Sequence, residues 1–146
     1  MQYVNNEEVF RAELTGLEEV PPIMTNATGS FRARVAPNGL SLDYELTYAN
    51  LTSQSTAAHI HFGQKGVNGE IIAFLCGGNS KPACPDREGT VTGTITAGDI
   101  RGIPEQGLAA GDIMGVIGLM RAGLTYINVH STTFPGGEIR GQVHRS

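Results

Sequence analysis

The sequence predicts an all-β fold: an antiparallel, eight-stranded Greek-key sandwich or barrel with one short helix. Three observations carry that expectation. Eight short segments alternate apolar and polar side chains, and clusters of Gly, Pro and Asn separate them. Twenty glycines and seven prolines in 146 residues, with no tryptophan, argue for many tight turns rather than long helices. A helical period of 3.6 occurs over a single stretch. The length suits one domain spanning residues 1–146.

In chain order, "VFRAEL" (9–14) reads as the first strand. "EEVPPI" (18–23) follows, and its double proline removes two ladder donors, so it is a loop or a bulged edge. "GSFRARVAP" (29–37) and "LSLDYELTYAN" (40–50) flank a Pro37-Asn38-Gly39 turn. "AAHIHFG" (57–63) and "EIIAFLC" (70–76) are joined through a stretch with glycines at 66 and 69. "GTVTGTIT" (89–96) is a sixth strand. In "GDIMGVIGLMRAG" (111–123), Ile113, Val116, Ile117 and Met120 fall at i, i+3, i+4 and i+7, and Gly123 suits a left-handed cap. That helix is expected to plug an open end of the barrel or to cover a sheet edge. "LTYINVHS" (124–131) and "GEIRGQVH" (137–144), separated by Pro135-Gly136-Gly137, complete the set.

The net charge of −4 and a pI near 5.5 leave no basic footprint for nucleic acid and no polybasic membrane patch. No apolar run approaches the ~18 residues of a membrane span. The start, "MQYVNNEEVF", lacks signal-peptide character, although a chain whose leader has been removed begins in the same way. Cys76 and Cys84 lie eight positions apart in the Gly/Pro-rich "LCGGNSKPACPD". A disulfide ring is the favoured reading, and it points to an oxidising compartment; two reduced thiols, or half of a metal site, is the alternative. The sequons at Asn26 and Asn50 are compatible with export but decide nothing.

Histidines provide the chemistry. His59 and His61 occupy alternate positions of one strand, so both project from the same face with backbones roughly 7 Å apart. The same parity puts Tyr126, Asn128 and His130 on one face and Ile127 and Val129 on the other. Three imidazoles suffice for a copper, zinc, iron or nickel site, and copper(II) binds tightest of the divalent series. The alternative is an ordinary polar face. His144, near the chain end, is expected at the surface rather than among the ligands. No nucleophile elbow, P-loop, dinucleotide fingerprint or calcium loop is present.

These segments also resemble a known family. "AAHIHFGQKGVNGEIIAFLC", "GTVTGTITAGDI" and "LTYINVHSTTFPGGEIRGQV", with the opening "FRAELTGLEEVPPIMTNATGSFRARV", are similar to the CHRD domain, a module first described in chordin and widespread in microbial extracellular proteins. The resemblance implies an all-β extracellular domain and says little about activity. A fainter likeness connects "HIHFG" and "NVH" to Cu/Zn superoxide dismutases, eight-stranded Greek-key proteins with a His-x-His pair and a later Val-His. It implies His59, His61 and His130 as copper ligands and Arg140 as the group that attracts an anion; Lys65 is a less favoured candidate for that role, outside the likeness. The bridging histidine and the zinc ligands of that family have no counterpart here, so a mononuclear copper site completed by water or an outside ligand is implied. The expected protein is a secreted or periplasmic copper-binding domain, either redox-active toward a small anion or oxidant such as superoxide, or serving copper storage or delivery. The competing expectation is a non-catalytic extracellular interaction or adhesion module without a metal.

Overall fold

The computed structural model describes residues 7–146; the first six residues of the opening segment discussed above lie outside them. Strands β1 (Val9–Thr15), β2 (Thr28–Val35), β3 (Ser41–Ala49), β4 (Ser55–Phe62), β5 (Glu70–Cys76), β6 (Gly89–Thr96), β7 (Thr125–Ser131), β8 (Ile139–Gln142) and β9 (His144–Arg145) form one antiparallel sheet. The neighbour order is β5-β4-β7-β8-β1-β2-β3-β6, with β9 added to β1. β3 pairs with β6, and β4 with β7, across intervening strands, which are the crossovers of a Greek key. The eighth expected segment is thus two strands: β8 pairs with β7, whereas Val143 breaks the run and β9 turns to β1.

The sheet curls into a nearly closed barrel whose seam lies between β5 and β6. No ladder joins these two strands among the described residues. Instead, the Tyr44 hydroxyl of β3 reaches past β6 and donates to the Leu75 carbonyl of β5 at 2.6 Å. Gly93 is what lets it pass: a Cβ there would lie 2.5 Å from the Tyr44 oxygen. Alternate side chains fill the interior, among them Phe10, Leu14, Phe31, Leu46, Ile60 and Ile127, all at most 2% exposed. The double-proline segment carries no strand, and a short 3-10 turn at Gly16–Glu18 leads into it.

Helix α1 (Ile113–Arg121) begins at Asp112, whose carboxylate accepts from the Gly115 amide, and Gly123 beyond its end has φ of +76°. Its buried stripe, Ile113, Val116, Ile117 and Met120, joins the barrel core. No helix among the described residues is long and apolar enough to cross a membrane. Glu8, just before β1, ties the far end of this helix to the C-terminus by accepting from Arg121 at 2.7 Å and Arg145 at 2.6 Å. Cys76 and Cys84 are disulfide-bonded, pinning the loop after β5.

Two outcomes follow from this packing. Ile117→Ala should destabilise the fold by about 2–4 kcal/mol, read as a shift in denaturant midpoint, because the side chain is buried within the core; a shift under about 0.5 kcal/mol would show that the stripe is not packed. Arg121, helped by Arg145, holds the Glu8 carboxyl down at about 2 against the opposing push of burial. A depressed carboxylate stabilises the folded state above its unfolded pKa and loses that contribution as pH falls through the folded one. Glu8→Gln should therefore be less stable than the parent at pH 7, and the gap should close between about pH 4.5 and 2.

Candidate metal centre

The three histidines meet on the outer face of the β4–β7 pair. Antiparallel register sets His59 opposite Asn128, His61 opposite Tyr126 and Ala57 opposite His130. Asn128 in turn faces Arg140, and Tyr126 faces Gln142, on β8. On the other side of β4 the register with β5 shifts twice, and the result places Phe74 opposite His59. Irregularities of this kind re-aim side chains, and here the Phe74 ring stands edge-on to His59 with centroids 4.3 Å apart.

This polar face is covered by loops instead of facing water. His59 is 6% and His61 7% exposed, and His130 is half-buried. One imidazole nitrogen from each ring lies within 4.8 Å of the others. The His59 Nδ1 and His130 Nε2 atoms are 3.1 Å apart. Two backbone carbonyls set the tautomers: the His61 Nδ1–H donates to Gly69 at 2.9 Å and the His130 Nδ1–H to Pro135 at 2.8 Å. Both Nε2 lone pairs are thereby turned toward the cluster, the second-sphere arrangement that metal-ligating histidines use. His130 Nε2 accepts the His59 Nδ1–H, whereas His61 Nε2 is buried without a partner.

Electrostatics keep the cluster neutral. Burial, reinforced by His130, His61 and Arg101, lowers His59 to about 3. Burial also lowers His61 to about 4, against the upward pull of the Gly69 carbonyl, and it lowers His130. Neutral imidazole is the ligating form. The set also fits an ion sterically. Tetrahedral bonds of ~2.0–2.1 Å place donor nitrogens about 3.3 Å apart. The His59–His130 pair already stands near that separation, and the three nitrogens together lie within 4.8 Å.

The other residues singled out from the sequence contribute no nitrogen to the cluster. Arg140 is 1% exposed, lies under the loop 63–69 and stacks on Tyr126 with its guanidinium carbon 3.5 Å from the ring centroid. Lys65 is exposed and sits 3.6 Å from Glu18. His144 is exposed on β9. Two buried groups beside the cluster were not found by sequence reasoning. Asn128 shares the His130 face by parity, yet nothing in the sequence says that it is 3% exposed with its Oδ1 unpartnered. Glu19, at the start of the double-proline loop, gives no signal at all; it is 5% exposed, its Oε2 lacks a partner, and burial raises it to about 7 despite Arg140 and Asn128.

Fold and site together define a β-barrel domain carrying a buried three-histidine cluster able to hold a metal ion. The CHRD domain profile matches residues 10–143, and the chain belongs to that family, a membership consistent with an extracellular setting. No curated protein and no solved structure matches the chain.

The neutrality of the cluster has a measurable consequence. In metal-free protein the His59 and His61 imidazoles should stay unprotonated to about pH 3 and 4 when followed by histidine-resolved NMR. Unfolded imidazoles take up protons near 6.5. The unfolded chain thus binds more protons in the window between, and stability should fall as pH drops below about 6.5. Titration of both rings near 6.5 would contradict the burial argument.

Proposed function

We propose that this domain is an extracellular or periplasmic copper-binding module, with one ion held by His59, His61 and His130. The observation that carries the reading is the unpartnered, buried Nε2 of His61 beside the Nδ1–Nε2 pair of His59 and His130. A buried acceptor without a partner is costly, and a bound ion removes that cost. The donor set is three neutral nitrogens with no carboxylate or thiolate among them, which suits copper, zinc, iron or nickel, and the affinity order favours copper(II). The disulfide supports an oxidising compartment.

Copper held there would supply one-electron redox chemistry, which fits either exchange with a small oxidant such as superoxide or storage and delivery of the ion. The chain's own residues do the rest of the work. Gly69 and Pro135 orient two imidazoles through their carbonyls. Phe74 walls one side of His59, and Tyr126 lies flat against His61 at 4.7 Å. Arg140, the counterpart of an anion-attracting arginine by likeness to the dismutases, is sealed from solvent and engaged by loop carbonyls, so the support for the redox version rests on the histidines.

Calorimetric titration with copper(II) tests the proposal. One ion should bind per chain, with electron paramagnetic resonance showing three nitrogen ligands. His59→Ala, His61→Ala and His130→Ala should each weaken binding by at least about tenfold, while His144→Ala should leave it unchanged. Parent-like affinity in His130→Ala would eliminate the three-histidine site. Absence of stoichiometric copper or zinc in protein from metal-replete medium would favour an adhesion module instead.

A further inference from the structure

Arg140 is a large buried side chain whose hydrogen bonds all go to neutral acceptors, with the Glu19 carboxyl near enough to feel its charge. It donates to the Val67 carbonyl at 2.8 Å, the Gln64 carbonyl at 3.1 Å and the Asn68 Oδ1 at 3.2 Å. All three belong to the loop between β4 and β5, at 63–69. Burying a guanidinium against dipoles is a poor way to stabilise a fold, since the desolvation cost is high and an apolar residue packs there more cheaply. The geometry suggests what the arginine does instead. Its planar group lies 3.5 Å over the Tyr126 ring, and the opposite face of that ring lies on His61, 4.7 Å away and within 6° of parallel.

The same loop reaches His61 by a second route. Its last residue, Gly69, accepts from His61 Nδ1, and its amide donates to the Tyr126 hydroxyl at 3.0 Å. Gly69 packs so tightly on the end of β4 that a Cβ there would fall 1.8 Å from the Phe62 carbonyl oxygen. The Asn68 amide meanwhile donates to Val20, anchoring the loop from the outer side at 2.9 Å. Arg140 therefore grips two of the groups that hold His61, the Tyr126 ring and the loop that fixes its tautomer; Asn128 and the His59 ring are further neighbours of His61. His130 is held independently, through Pro135.

We infer that Arg140 is a positioning residue, acting through Tyr126 and the 63–69 loop to hold the His61 ring in the plane and tautomer that turn Nε2 toward His59 and His130. This rests on the reading of the cluster as a metal centre, and it gives the arginine a role distinct from anion attraction. An anion guide must present its charge to solvent, whereas this one is covered.

Two measurements on Arg140→Met decide the matter, with Arg140→Lys used where the former does not fold. Lysine keeps the charge but lacks the planar fork that stacks and bonds three acceptors at once. The control is Ile117→Ala, a destabilised variant whose side chain packs in the barrel core. In metal-free protein, long-range proton–nitrogen spectra should show His61 as a single Nδ1–H tautomer in the parent and in Ile117→Ala. In the Arg140 variants His61 should become a tautomer mixture, while His130 keeps its Nδ1–H form. A His61 tautomer that survives loss of Arg140, or that is lost equally in Ile117→Ala, overturns the inference. In the second measurement, copper(II) affinity should fall at least about tenfold in the Arg140 variants, with one fewer nitrogen in the paramagnetic spectrum. An unchanged three-nitrogen spectrum also overturns it. Should the parent bind no metal, the functional reading falls, and the tautomer experiment still decides the role of Arg140.

Discussion

The β4–β7 strand pair must be covered on both faces, and most of the structure answers to that constraint. Ile60, Ile127 and Val129 point inward and are met by the barrel core. His59, His61, Asn128 and Tyr126 point outward, where an antiparallel sheet ordinarily meets water. Here the 63–69 loop, the double-proline segment and the 132–137 loop lie over them. Covering a polar face creates an obligation to satisfy every group on it. Gly69, Pro135 and the loop carbonyls around Arg140 meet most of that obligation. Of the four buried side-chain atoms without a partner among the described residues, those of Asn128 and His61 belong to this face and that of Glu19 to the segment over it, and the fourth is the Thr125 hydroxyl.

Glu138 shows how the cover is fastened down. It is fully buried and accepts from Thr25 at 2.6 Å, the Thr52 hydroxyl at 2.8 Å and Ser131 at 2.7 Å, so one carboxylate joins three separate segments. Burial pushes its pKa up, but the hydrogen bonds from Thr25, Ser131 and Thr52 outweigh that push and hold it low. The acceptor is multivalent and charged, so the segments around it are held in a fixed relation. His130 lies one residue from Ser131 and benefits directly.

Strand period made much of this legible from sequence. The alternation in "AAHIHFG" and "LTYINVHS" located both faces of β4 and β7 and hence three of the groups in the cluster. The 3.6-residue stripe located α1 and its buried positions. What stayed hidden depends on loops, where no period operates. Arg140 sits at an outward position of its strand, and outward ordinarily means exposed; the 63–69 loop, whose carbonyls it bonds, and the Tyr126 ring lie against it instead. Glu19 belongs to a segment with no regular structure, so its burial comes entirely from what folds over it. The division of the last segment into β8 and β9 was equally hidden, because alternation continues through Val143 while the partner changes.

The hydrogen bond between His59 and His130 bears on how such a centre is assembled. In the metal-free chain a proton lies between Nδ1 and Nε2, on the line that two ligand nitrogens would share. That proton serves as a placeholder: it keeps the two rings at coordinating distance without a metal. Barrel closure, the helix stripe and the Glu138 junction are likewise built from protein groups alone. Under the proposed reading, folding and loading would be separable events, unlike those of a zinc finger, which stays unfolded until its ion arrives. On that reading the His59 proton would pass from Nδ1 to Nε2 as an ion arrives, so the ring stays neutral and frees the nitrogen that faces His130.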